Sequence, residues 1–172
     1  MATQVLDRPH AGLLDWFRRE RVDYEIHEHT ETFTAASTAR AEGADARTFA
    51  KVVGVETDDG RMALMVVDAP DRVDLDKARQ VLEARSVRLL TEAELKTLAP
   101  DCETGAMPAV GELFGLPMHV DYAVEGDDEI SFNAGTHRFS ARVDRAAWER
   151  AAHVRYADIA AGDEAGPAWG RE

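Results

Sequence analysis

Apolar positions along this chain follow two spacings in turn. In "HAGLLDWFRRER", Leu13, Leu14 and Phe17 recur at helical intervals with Trp16 beside them, which predicts a helix. "VDYEIHEH" switches to a period of two. Val22, Tyr24 and Ile26 share one face while Asp23, Glu25 and His27 share the other, the pattern of a half-buried strand. "TAASTARAEG" predicts a short helix from Thr34 to a stop at Gly43. The runs "TFAKVVGVET" and "RMALMVVDA", separated by "DDG", predict a hairpin. "DRVDLDKARQVLEAR" carries Leu75, Ala78, Val81 and Leu82 on one helical stripe, and "SVRLL" is a short strand. "TEAELKTLAP" opens on a capping box, Thr91 with Glu94, and is stopped by Pro100. After the loop "CETGAMPAVGELFG", the segments "MHVDY", "EISFNAG" and "HRFSARV" predict consecutive strands, the last two joined by a tight turn at Ala134–Gly135. "DRAAWERA" is a final helix with Trp148 to bury.

Hairpins mixed with helical crossovers predict an α+β fold, a mixed α/β arrangement in which helices surround one curved sheet. No repeat or interior linker divides the chain, so one domain is expected over residues 9–158. Residues 1–8 and 159–172, small and polar, are expected to be flexible tails. Composition agrees: 172 residues, 45% hydrophobic and 31% charged, suit one globular domain with a real core. No apolar run approaches the roughly 18–20 residues of a membrane span, and "MATQVLDRPH" has no signal-peptide apolar core. With Cys102 as the one cysteine, no internal disulfide is possible, and a cytoplasmic location is expected.

The net charge of -13 argues against broad binding to nucleic acid, and no DNA partner is expected. The charge is uneven, however. From Asp101 to Glu129 there are eight acidic residues and no Lys or Arg; from Thr136 to Arg155 there are five arginines against Asp144 and Glu149. A local basic patch can still hold one end of a nucleic acid. Arg138 and Arg142, opposite Phe139, Ala141 and Val143, are candidates for that contact or for a solvated face.

Candidate chemistry centres on Lys51 in "FAKVVGV". Alternation puts Lys51 on the face of Phe49, Val53 and Val55. A charge there must either snorkel to the sheet rim or open into a cleft that receives an anionic or polar ligand. The stretch "TGAMPAVG", with Gly105, Pro108 and Gly111, makes a stiff loop. It serves either as a simple connection or as a set of outward amides for a carbonyl or oxyanion. Asn133 and Gly135 in "FNAGTHR" suit the hairpin turn itself. No zinc-binding histidine motif, phosphate loop or serine elbow is present. His27 and a neighbouring strand histidine, His29, could chelate a metal, and Cys102 could be a nucleophile, but no local motif supports either.

In order and spacing, "VDYEIHEHTETFTAASTARAEG", "FAKVVGV", "TGAMPAVG" and "ISFNAGTHR" resemble the YbaK/EbsC family of stand-alone aminoacyl-tRNA deacylases. That family is related to the editing domain of bacterial prolyl-tRNA synthetases, and the resemblance spans about residues 11–155. It implies a barrel-like mixed sheet and hydrolysis of the ester joining an amino acid to the terminal adenosine of tRNA. It also implies Lys51 near that ester and backbone amides at Gly105 and Ala106 on the carbonyl end. Water positioned by a ribose hydroxyl would attack, with no metal, cofactor or protein nucleophile. Substrate contacts are expected from His29, Phe33, Thr34, Met107, Pro108, Asn133 and Gly135. Partners are the aminoacyl-tRNA acceptor end and, further, an aminoacyl-tRNA synthetase, with no membrane. The loop departs from the family pattern at Ala109, where a proline is common. Two other readings remain: a pocket that binds an amino acid or nucleotide, or docks a synthetase, without turnover, and a metal hydrolase using His27 and His29.

Overall fold

The structure, a computed structural model, describes residues 8–28 and 48–163. Helix α1 (Ala11–Glu20) opens on His10, whose Nδ1 accepts the Leu13 amide at 3.0 Å. Its apolar stripe buries Leu13, Trp16 and Phe17. Strand β1 (Tyr24–Glu28) follows, its Tyr24 ring stacked on Phe17 with centroids 4.4 Å apart.

Strands β2 (Ala50–Thr57) and β3 (Met62–Asp68) form the predicted hairpin. After the three-residue strand β4 (Asp71–Val73), helix α2 (Leu75–Val81) starts on Asp74, whose carboxylate accepts the amides of Asp76 and Lys77. Strand β5 (Val87–Leu89) leads to helix α3 (Glu92–Leu98), where both bonds of the Thr91–Glu94 capping box are formed. Strand β6 (Met118–Asp121), the short helix α4 (Tyr122–Glu125), strands β7 (Glu129–Asn133) and β8 (Phe139–Asp144), helix α5 (Arg145–Ala151) and strands β9 (Arg155–Ala157) and β10 (Ala160–Asp163) complete the order. Trp148 of α5 is fully buried, and its indole N–H donates to the Ala109 carbonyl at 2.7 Å.

The strands form a five-stranded mixed sheet, β5-β2-β3-β6-β9, a three-stranded antiparallel sheet, β1-β8-β7, and the pair β10-β4. Both β3–β6 and β6–β9 are parallel, as the helical crossovers require. The expected barrel-like sheet is therefore not a closed ladder among the described residues. The five- and three-stranded sheets meet at a parallel bridge between Phe49 and Ser131. The larger core lies between them: Leu64 and Val66 from one sheet, Ile130, Phe132, Ala141 and Val143 from the other, closed by Trp16, Phe17 and Trp148. A second core on the opposite face of the five-stranded sheet packs Val55, Met65 and Val67 against Ala78 and Leu82.

The expected tail boundary at residue 158 is corrected. Ile159 is fully buried, and β10 pairs with β4. The cause is polar. Asp121 Oδ1 accepts the amides of Ile159 and Ala160 at 3.0 and 2.9 Å, and Lys77 Nζ reaches Asp158 and the Ala160 carbonyl. A carboxylate that satisfies two buried amides orders a segment too short and too small to show a strand pattern. No helix among the described residues is long and apolar enough to cross a membrane.

Candidate functional site

The three-stranded sheet has one apolar and one polar face, and β7 shows why. Ile130 and Phe132 enter the large core, so alternation sends Ser131 and Asn133 the other way. In register with them, His27 of β1 lies opposite Ser140 of β8, and Ser140 lies opposite Asn133. The Phe49–Ser131 bridge extends this face onto β2, and two residues beyond the bridge the corresponding positions are Asn133 and Lys51. Continuing the register of that isolated bridge, His27, Ser140, Asn133 and Lys51 fall on one cross-strand row. Ser131, Asn133 and Ser140 are 2%, 4% and 0% exposed, a buried polar surface rather than a solvated one. Lys51 is half-buried, on the same face as Val53 and Val55 as alternation required.

The glycine loop reaches this row through Asn133. Its Nδ2 faces the Gly105 carbonyl at 3.5 Å, and the turn after β7 clamps the loop further. The Glu103 amide donates to the Gly135 carbonyl at 2.8 Å, the Gly135 amide to the Ala106 carbonyl at 2.9 Å, and the Glu103 carboxylate accepts the His137 amide at 2.8 Å. His137 Nε2 lies 2.7 Å from the Thr104 carbonyl. Held at both ends, Gly105 takes a left-handed φ of +82° and stands exposed. Gly135, at φ +92°, is fixed for another reason: a Cβ there would come within 2.8 Å of His10 Cβ, where α1 docks on the turn.

The sequence expectation that the Gly105 and Ala106 amides point outward together is corrected for one of them. The Ala106 amide donates to the Glu103 carbonyl at 3.0 Å, inside the loop, and Ala106 is fully buried. No acceptor among the described residues takes the Gly105 amide. Met107 and Pro108 are also buried, Met107 as part of the large core. A crevice of about 10 Å³, the room of one water, lies behind the loop between Leu95, Ala99, Cys102 and Met107. A wider concavity of about 580 Å³ lies beside α3 over Glu56 and Met62. It is remote from the row, since Glu56 lies five residues along β2 from Lys51, roughly 16 Å away.

His29, Phe33 and Thr34 lie outside the described residues, as does the helix predicted over "TAASTARAEG". Among the described residues no group of three metal-binding side chains occurs, and His27 faces Glu25 at 3.2 Å. Burial, with Asp101 adding to it, pushes the Cys102 thiol up to about 12, which makes it a poor nucleophile. The arginine-rich segment serves the fold in part. Arg138 pairs with Glu28 at 2.8 Å, Arg142 Nε reaches Ser131 Oγ at 3.4 Å, and Arg145 donates to the Asp127 carbonyl and pairs with Glu149. Ser131, Ser140, Glu103 and His137 escaped the sequence reading. The strand serines had a signal, since each sits at the polar phase of an otherwise apolar alternation.

Comparison with known proteins matches residues 29–151 to the aminoacyl-tRNA editing domain family. No curated protein matches the chain. Among solved structures, a candidate trans-editing enzyme for prolyl-tRNA synthetase superposes with a TM-score of 0.76 at 24% identity, over 87% of this chain and 95% of that one. A hypothetical protein superposes with the same TM-score at 18% identity, over 86% of this chain and 98% of that one. At these identities the superpositions establish a shared fold.

Proposed function

The chain belongs to the aminoacyl-tRNA editing domain family, and from that membership we propose that it is a stand-alone hydrolase that deacylates mischarged aminoacyl-tRNA. The observation that carries the reading is the row itself. Lys51 is half-buried, the Phe49–Ser131 bridge carries its register toward Asn133, and Asn133 contacts the Gly105 loop. In this reading Lys51 supplies a fixed positive charge near the ester and the adenosine phosphate. The Gly105 amide donates to the oxyanion of the tetrahedral intermediate, a contact worth roughly 2.7–4 kcal/mol. Water, positioned by the substrate's own ribose hydroxyl, attacks the ester carbonyl; the C–O bond to the ribose breaks, and that oxygen leaves with a proton. In this reading Phe33, Thr34 and Met107 would line the side-chain pocket, and one methylene there would discriminate by about 1–3 kcal/mol. The acceptor end of tRNA is the partner, with a synthetase as a further one.

The test is Lys51→Ala in a deacylation assay against a panel of mischarged tRNAs. A loss of about 10²–10³-fold in kcat/KM, the size that removing one electrostatic stabiliser of a transition state typically produces, is expected in a folded variant. Full activity in Lys51→Ala removes the lysine from the mechanism, and no turnover of any member by the wild type removes the hydrolase reading. One observation favours a second reading, a module that binds without turnover: engagement of the Ala106 amide leaves fewer oxyanion donors than the sequence suggested. Calorimetry with amino acids and adenylate analogues separates the two, since tight binding without hydrolysis supports the module.

A further inference from the structure

Asn133 carries a buried polar atom that no described residue satisfies. The residue is 4% exposed, and its Nδ2 faces the Gly105 carbonyl. The reverse orientation would set Oδ1 against that carbonyl oxygen, two acceptors face to face. Oδ1 is left buried without a hydrogen-bond partner among the described residues. A buried acceptor without a donor destabilises a protein, whereas an apolar side chain of similar shape would not. The position therefore awaits a ligand that brings a donor.

We propose that Asn133 Oδ1 receives the α-ammonium of the aminoacyl group, so that the site reads the free amine of its substrate; this rests on the editing reading above. An aminoacyl-adenosine end offers two kinds of donor. A ribose hydroxyl has one hydrogen and satisfies one acceptor. An ammonium has three and no lone pair, so it can meet Asn133 Oδ1 and the second lone pair of the Gly105 carbonyl together. Gly105 then presents a carbonyl to the amine and its unengaged amide to the neighbouring acyl oxygen, matching the N–Cα–C=O order of an amino acid. A neutral acceptor also suits a row that contains Lys51, because a carboxylate at position 133 would be drawn to the lysine instead.

The decisive measurement is binding by calorimetry, which needs no turnover. The probes are two adenosines with a stable 3′-amide, one carrying glycyl and one carrying acetyl, which differ by the amine alone and need no side-chain pocket. The wild-type chain is expected to bind the glycyl compound at least ten-fold tighter. Asn133→Leu and Asn133→Ala, each verified as folded by urea unfolding, are expected to erase that preference. Equal affinity for the two probes in the wild type, binding of neither, or a preference that survives in both variants overturns the proposal. The hydrolase reading fails separately. Amine-selective binding with no deacylation of any tRNA would leave Asn133 in its role and remove the catalysis. Turnover of N-acetylated and free aminoacyl-tRNA at equal rates would do the reverse.

Discussion

The two faces of β7 are equally buried and chemically opposite. Ile130 and Phe132 face a core that closes on them from both sheets and α1, and every atom they present is apolar. Ser131 and Asn133 face a surface that is as buried and contains an acceptor that no described residue satisfies. The first face accounts for the stability of the domain. The second includes one buried acceptor, Asn133 Oδ1, that no described residue satisfies, a cost that folding alone does not require.

The largest effect expected from breaking this contrast is functional: the loss of the proposed deacylation in Lys51→Ala, with little change in unfolding. On the opposite face, Phe132→Ala removes a fully buried ring and should lower the unfolding free energy by about 3–5 kcal/mol, measured by urea titration. A small loss there would mean that the apolar face is not the main support. Gly105→Ala tests the join between the faces. Its Cβ would lie an ordinary 3.6 Å from His137 Cε1, so the cost is that of the left-handed backbone, about 1–2 kcal/mol. The Gly105 amide would be displaced with it, so kcat should fall by more than stability does.

The finest test is pH. His10 caps α1 through an unprotonated Nδ1, and burial, opposed by Asp101, holds its imidazole below the ordinary range. The unfolded chain, titrating near about 6.5, then binds more protons than the folded one, so this stability is complete above that pH and is lost as pH falls through the lowered folded value. The urea midpoint should drop between pH 7.5 and 5.5. His10→Asn, which can still cap the helix, should flatten part of that slope. The remainder belongs to His119, lowered in the same direction by burial and then by Arg155. An unchanged slope in His10→Asn would show that the cap does not titrate.

Much of the fold was legible because its signals are local. The hairpin around "DDG", the Thr91–Glu94 box and the burial of Trp148 each follow from a few adjacent residues. Lys51 was legible as an oddity because strand alternation is also local. What escaped depends on partners distant in sequence. Strands β4, β9 and β10 are three or four residues long, too short for a period to show, and β10 is ordered by Asp121 some 40 positions earlier. The direction of the Ala106 amide is set by a turn within the loop, and composition does not encode it. The row from His27 to Lys51 exists only through the meeting of Phe49 with Ser131, a pairing across about 80 residues that no pattern announces.

That meeting has a mechanical consequence. At the Phe49–Ser131 bridge the two sheets touch like the arms of a caliper at its joint, with Lys51 two residues past it on one arm and Asn133 two residues past it on the other. A rotation there would change the gap between the lysine and the asparagine, and it would work against the larger core that lies between the two sheets. The amide hydrogen-exchange rates around residues 49 and 131 would then report the width of the jaws, and a bound ligand should slow them before it slows anything in the interior.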